Sequence, residues 1–272
     1  MTHRHINIFF LFFLIFVFII FGEIPDHIRI VSALMLAVIF SISAFLLSWL
    51  TYDGAISAGI FGTISFGFGD WQIALIVLFF FISASLVSKD SIATEDSHSV
   101  KFRRNGRQVW SNGFWLCLWV MIWFISEQTM FLVASVASIA TATADTWATE
   151  LGTKDKDKTY LITDLSKVKA GTDGAISFKG SAAALLGSAL IAALFWLTVD
   201  EISVFTLSII TITGFIGCLM DSYLGARFQG NSLKIPFLSS NENGTIVLDN
   251  NTVNWLSTGT ASVLVLLITL II

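Results

Sequence analysis

The chain has 272 residues, of which 55% are hydrophobic and only 12% charged, and its mean hydropathy is +0.82. These values exclude an ordinary soluble globular domain and make lipid the solvent for most of the chain. The net charge of -4 says little as a sum, because the charges sit in a few loops of differing sign and their placement carries the information.

Twenty-five Phe against two Pro leave the apolar stretches long and seldom broken. Runs such as 6–21 and 73–86 are apolar on every face, which excludes the alternating strands of a membrane β-barrel and leaves an all-α bundle. The first run follows Thr2-His3-Arg4-His5, and Gly22-Glu23-Ile24-Pro25-Asp26 offers no small-x-small cleavage site, so it is predicted as a retained span. Further spans are predicted at 28–50, 55–69, 71–88, 113–126, 130–149, 175–199, 203–228 and 253–272, giving about nine in a single integral membrane domain over 1–272. The third, with Gly59, Gly62, Gly67 and Gly69, suits a short close-packed helix or a re-entrant segment. Cys117 and Cys218 lie in apolar runs without metal-ligand spacing and read as packing residues.

Lys and Arg concentrate in loops 89–107, 154–179 and 227–234, whereas the connections at Asp70, Glu127 and Asp200-Glu201 hold no basic residue. Basic loops stay inside, so a full third crossing places the N-terminus in the cytoplasm and the C-terminus outside, in a multi-pass protein of the cell membrane.

Asp53-Gly54-Ala55-Ile56-Ser57 recurs as Asp173-Gly174-Ala175-Ile176-Ser177, the pattern of a duplicated element starting at 53 and 173. Each Asp is predicted to open a helix as its N-cap, a role compatible with phosphate or metal binding.

Asp145 enters the end of an otherwise apolar span, on a face where Ser135, Ser138, Thr141, Asp145, Thr149 and Gly152 recur at steps of three and four. Thr211, Gly214, Gly217, Asp221 and Gly225 repeat the design in the eighth span. The small residues suit close helix packing, whereas the two acids rarely face lipid and point to function. Two converging carboxylates repel unless a cation or proton relieves them, and oxygen-only ligands suit Mg²⁺ better than zinc.

On the same side, Lys101, Arg103, Arg104 and Arg107 precede Gln108-Val109-Trp110-Ser111-Asn112-Gly113, and Lys167, Lys169 and Lys179 flank the second DGAIS. These cations suit either anionic lipid heads or a phosphate ligand, with Arg107 the better candidate ligand. Asn250, Asn251 and Asn254 open the last span as caps or as partners for a ribose or phosphate.

Arg107-Gln108-Val109 with Asn112-Gly113, Asp145 to Gly152 (DTWATELG), Gly171 to Ser177 (GTDGAIS), Asp221-Ser222 with Gly225-Ala226 and Gln229, and Asn251 with Val253-Asn254 occur in this order. Together they resemble the integral membrane proteins of the domain-of-unknown-function 92 class (DUF92), which includes transmembrane protein 19 and plant phytyl-phosphate kinase. The resemblance covers most of the chain. Where the family often carries Gly and Ser around the DTWA motif this chain has Ala144 and Thr149, small changes that keep the carboxylates. The activity the resemblance implies is phosphoryl transfer from a nucleoside triphosphate to an isoprenoid monophosphate at the cytoplasmic face, with lipid and these substrates as partners and no nucleic acid.

Such chemistry needs positioned Mg²⁺ and cationic clamps, with little covalent help from the protein. Asp145, Glu150 and Asp221 are expected to hold Mg²⁺, and Asp173 to position metal or nucleotide. Arg107, Asn112, Arg104, Lys179, Asn251 and Asn254 are expected on the phosphate and nucleotide side. Asp145 and Glu150 stand roughly 140° apart on a helix, so joint ligation requires α-helical structure to end or bend near Ala148. No Walker A or kinase glycine loop is present. The rival function is a transporter or lipid flippase using Asp145 and Asp221 as proton or ion sites, against which their position near one membrane face counts.

Overall fold

The computed structural model describes residues 2–91, 103–153, 158–200, 202–230, 232–234 and 245–271. Among them the helices are α1 (His3–Ile20), α2 (Ile24–Leu46), α3 (Tyr52–Gly67), α4 (Asp70–Ser91), α5 (Gly106–Ser126), α6 (Thr129–Gly152), α7 (Phe178–Thr198), α8 (Val204–Phe228) and α9 (Asn250–Ile271). Two antiparallel ribbons join them: β1 (Thr159–Leu161) pairs β2 (Ala175–Ser177), and β3 (Ser232–Lys234) pairs β4 (Thr245–Val247).

Eight of these helices are long and apolar enough to cross a membrane. The exception, α3, has 16 residues, short of the roughly 20 that a perpendicular span uses. It nonetheless runs beside α2 from the polar-side link back to Arg29. At one end Thr51 N–H donates to the Arg104 carbonyl and Asp53 accepts the Gly106 N–H, and at the other Arg29 of α2 donates to the Gly67 carbonyl. The odd-numbered helices therefore all begin at one end of the bundle, hereafter the polar end. His3 and Ile271 lie at opposite ends.

α6 is the central helix, packed by α4, α5, α7, α8 and α9. In lipid, apolar surface gains little by exchanging one apolar neighbour for another, so association rests on close packing and hydrogen bonds. The sequence supplies both. Ser135, Ser138 and Thr141 are fully buried, and each hydroxyl donates to a carbonyl of its own helix, so the polar stripe is satisfied without partners from elsewhere. Gly217 of α8 meets it so closely that a Cβ there would lie 2.5 Å from the Thr141 side chain. The small faces of the two acid-bearing helices thus pack against each other. On the outside, α1 and α2 present Phe12, Ile19, Ile24 and Leu46, each more than half exposed, as a lipid-facing surface.

Three predicted boundaries shift. The fifth helix starts at Gly106 rather than 113, because Asn105 and Gln108 form a reciprocal capping box; Arg107 and Asn112 are therefore helical. The last starts at Asn250 with Asp249 as its cap, so Asn251 and Asn254 lie in its first turns. The second DGAIS does not open a helix: Ala175–Ser177 is strand β2, and Ser177, not Asp173, caps α7 by accepting the Gly180 N–H at 3.1 Å. The first copy is helical, with Thr51 as its cap. Lys101 lies outside the described residues.

Candidate functional site: a carboxylate cavity at the polar end

α6 and α8 each deliver one acid to the polar end, and the close glycine packing described above brings the two together. The Asp145 and Asp221 carboxyls lie within hydrogen-bonding reach of each other. Asp221 is buried, and Ser257 of α9 donates its hydroxyl to Oδ2 at 2.9 Å. Asn254, with its amide oriented to satisfy its neighbours, donates to the same Oδ2 at 3.1 Å and to the Asn250 carbonyl at 3.0 Å. Two donors thus fix one oxygen of Asp221. The rest of that carboxyl is left to Asp145 and the cavity.

The cavity is about 150 Å³. Its walls are Asp145, Thr149 and Gly152 of α6, Cys218, Asp221, Ser222 and Gly225 of α8, Asn250 of α9, the first turn of α7 at Ser177, Gly180 and Ser181, and the Thr172-Asp173-Gly174 turn. The turn is seated by Gly174. Its φ is +75°, and a Cβ would lie 2.5 Å from the Ser222 carbonyl oxygen, so both conformation and space demand glycine. This seat carries Asp173 over the cavity as a third acid, exposed to solvent. At the opposite wall Gly152 and Gly180 let α6 and α7 touch, which brings the N–H groups of α7's first turn to the same space. Such groups favour anions.

Apart from the Cys218 thiol, the donor groups are oxygens: two carboxyls in contact, one more at the mouth, and nearby hydroxyls and amides. Adjacent carboxyls cannot both be charged without a proton or cation between them, and hard oxygen donors suit Mg²⁺. Asp145 and Asp221 are the pair at which the predicted cation would sit. Glu150 does not join them. α6 stays helical to Gly152, so Glu150 is carried around the helix, outside the cavity lining and toward Arg104. Among the described residues no group of three His, Cys, Asp or Glu side chains has metal-holding geometry.

Arg104 is likewise outside the cavity. Its Nη1 donates to Ser85 Oγ at 2.7 Å, its guanidinium lies 5.7 Å from the centre of the Phe81 ring, and its backbone joins the α2–α3 link. Burial lowers its pKa, and the charge of Glu150 opposes that shift. Arg104 is a strut between α4 and the α2–α3 link. Asp53, the counterpart of Asp173 in the repeated pentapeptide, caps α5 and stands away from the carboxylate cavity.

Arg107 and Asn251 line a second cavity of about 370 Å³ between α1, α5 and α9. Arg107 Nη2 donates to Asp249 Oδ2 at 2.6 Å. Burial pushes the Asp249 pKa up, but the Thr252 hydroxyl and N–H and the Arg107 charge hold it below the ordinary range. Asn112 is outside both linings, and Lys179 is exposed in the first turn of α7. Sequence reasoning missed Ser257 and the capping role of Asp249. Ser257 falls three residues after Asn254 on the same helical face, so periodicity alone points to it.

Residues 35–262 match the family described as integral membrane protein DUF92. The chain is 33% identical to the uncharacterized membrane protein MJ0933 of Methanocaldococcus jannaschii, an alignment covering 65% of this chain and 74% of that one. Protein PGR of Arabidopsis thaliana is 24% identical over 86% of this chain and 94% of its own. The chloroplastic protein VTE6 of the same plant is 26% identical over 69% of this chain and 59% of its own. No solved structure matches the chain. With most of its length matched, including the two acid-bearing helices and the glycine-seated turn, the chain belongs to the DUF92 family of multi-pass integral membrane proteins.

Proposed function

We propose that this protein is a membrane phosphotransferase that moves the terminal phosphoryl group of a nucleoside triphosphate to an isoprenoid monophosphate. The observation that carries the reading is the contact between Asp145 and Asp221 on a cavity bordered by the first turn of α7. Asp145 and Asp221 would hold Mg²⁺, which supplies charge neutralisation for the transferring phosphoryl group. Ser257 and Asn254 hold one oxygen of Asp221, which leaves the other to Asp145 and the cavity. The N–H groups that open α7, apart from that of Gly180, donate to phosphate oxygens, and Lys179 in the same turn adds positive charge. Asp173, on its glycine-seated turn, orients the phosphate chain from the solvent side. The similarity of the chain to VTE6 and PGR supports this reading.

The test is phosphoryl transfer by protein reconstituted in lipid, with labelled CTP or ATP, Mg²⁺, and phytyl or geranylgeranyl monophosphate. A labelled diphosphate that Asp145→Asn and Asp221→Asn fail to make is the expected result. Absence of product with every donor and chain length, together with ion or proton flux that the same variants abolish, would replace the enzyme with a transporter.

A further inference from the structure

The first two helices are held by different neighbours, and a slot opens between them. α1 leans on α5, where Phe10 stacks on Trp110 with ring centres 4.7 Å apart and meets Phe114 edge-on. α2 is drawn onto α3 instead. A Cβ on Gly62 would lie 3.1 Å from Ala37, and one on Gly67 3.1 Å from Ile30, the close approach that small residues allow in lipid. Away from the polar end the two helices are pinned together by a bond of 2.9 Å between His27 Nε2 and the Phe18 carbonyl. Between them, with α3 as its floor, runs a cavity of about 670 Å³. Its wall reaches from Phe45 and Tyr52 near the polar end to Phe18 and Ile30.

Shape and polarity narrow what can lie there. Ile30 to Phe45 is about 22 Å of helix, so the volume corresponds to a mean section of about 30 Å². That admits one hydrocarbon chain but no further helix, which with its side chains is about 10–12 Å across. No charged residue lines the slot, so an anionic head would be buried there without a partner. One group in the wall asks for a ligand. Ser41 is 4% exposed, and among the described residues its Oγ is one of two buried side-chain polar atoms without a hydrogen-bond partner. Ser43 donates to the Ile39 carbonyl and Thr63, also in the wall, to that of Gly59. Ser41 has no such relief. A Cβ on Gly59 would lie 3.6 Å from Ser41 Oγ, so the missing side chain at 59 leaves the hydroxyl open to the slot, about one turn below Phe45. Its proton needs an acceptor, and a carbonyl supplies one without bringing a proton that the apolar wall could not pair.

We infer that the slot between α1 and α2 binds a neutral single-chain lipid bearing an ester carbonyl, with the carbonyl on Ser41 Oγ and the chain running toward Phe18 and Ile30. None of the residues lining the slot borders the carboxylate cavity. Binding there needs no phosphoryl transfer, so it stands or falls apart from the reading of that cavity.

The experiment uses the full chain in nanodiscs of ether-linked phosphatidylcholine, whose lipids hold no ester carbonyl, and a photoreactive fatty-acid methyl ester with adducts mapped by mass spectrometry. Adducts on slot residues such as Leu14 and Leu34 are expected, displaced by methyl palmitate at an about tenfold lower concentration than by hexadecane. Ser41→Ala should weaken binding of the ester about threefold to tenfold, the loss of one neutral hydrogen bond. It should not lower Tm, because the group removed has no partner to lose. Ser43→Ala, whose hydroxyl bonds only within α2, should bind like the parent, and Ile56→Trp, which fills the slot from α3, should abolish the adducts. Unchanged affinity in Ser41→Ala, or displacement by hexadecane equal to that by the ester, would make Ser41 a packing residue and refute the site. Equal displacement by phytyl monophosphate would overturn the neutral head and give the slot to a phosphorylated chain.

Discussion

Ser257→Ala isolates the support of Asp221 from Asp221 itself. The hydroxyl lies 2.9 Å from Asp221 Oδ2 and 3.0 Å from the Asn254 carbonyl, and its one proton goes preferentially to the carboxyl when a bound cation keeps that group ionised. A hydrogen bond to a charged group is worth about 1.5–3 kcal/mol, and each 1.4 kcal/mol is tenfold in an equilibrium constant. Removal of the methyl-sized hydroxyl leaves the small contact face of α9 otherwise intact, and the remaining donor, Asn254, keeps the carboxyl in place. The expectation is thus a tenfold to hundredfold higher Mg²⁺ requirement, in the range seen when partners behind metal ligands are lost, with little change in thermal stability measured without Mg²⁺. The assay is a pair of Mg²⁺ titrations, one of turnover and one of the cation-induced rise in Tm. Thr260→Ala, which removes a hydroxyl from another face of α9 that bonds only within its own helix, is the control. If Ser257→Ala titrates like the parent in both, the carboxyl pair is not where the cation binds.

Three further outcomes follow from the geometry. Gly174→Ala forces φ +75° on a residue with a Cβ and drives that atom into the Ser222 carbonyl; a cost of about 1–3 kcal/mol is expected, read as faster proteolysis of the 159–177 segment and lost turnover. Arg104→Gln removes the bond to Ser85 and the cation over Phe81, so thermal stability should fall by about 2 kcal/mol while the Mg²⁺ titration of the folded fraction stays unchanged. For Asp249, the folded pKa is depressed, so its stabilising contribution is complete above the unfolded value of about 4 and is lost as pH falls through the folded value. Hydrogen exchange in the first turn of α9 should accelerate in that acid window and nowhere above it, and Asp249→Asn should abolish the acceleration.

The bundle was legible because long apolar runs in lipid have one solution, and because acids at the end of small-residue stripes had to meet something other than lipid. The ends of the helices were not. Residues 106–112 look like loop in composition, yet the Asn105 and Gln108 side chains close a capping box that starts α5 a full two turns early. The second DGAIS reads as a helix start, yet Leu161 and Thr159 take Ala175 and Ser177 into a ribbon, a partner that local sequence does not announce. The same uncertainty about endings misassigned Glu150. The residues after Ala148 are polar enough to end a helix but do not, and one further turn of α6 is all that separates a metal ligand from a neighbour of Arg104.

That one turn also decides how the polar end is organised. The motifs of this family converge in sequence order on one face of the membrane, which invites a single site, but the folded chain divides them. Asp145, Asp221, Asp173 and Asn254 surround the small carboxylate cavity, while Arg107 and Asn251 belong to the larger one between α1, α5 and α9. The divider is not an inert wall. Asp249 caps α9 through the Thr252 N–H at 2.9 Å and pairs with Arg107, and the next turn of the same helix holds Asp221 through Asn254. A change at the Arg107–Asp249 pair therefore acts on the cap of the helix that positions the carboxylate pair. The two cavities are therefore joined by one rigid element whose first turns carry polar groups on both faces.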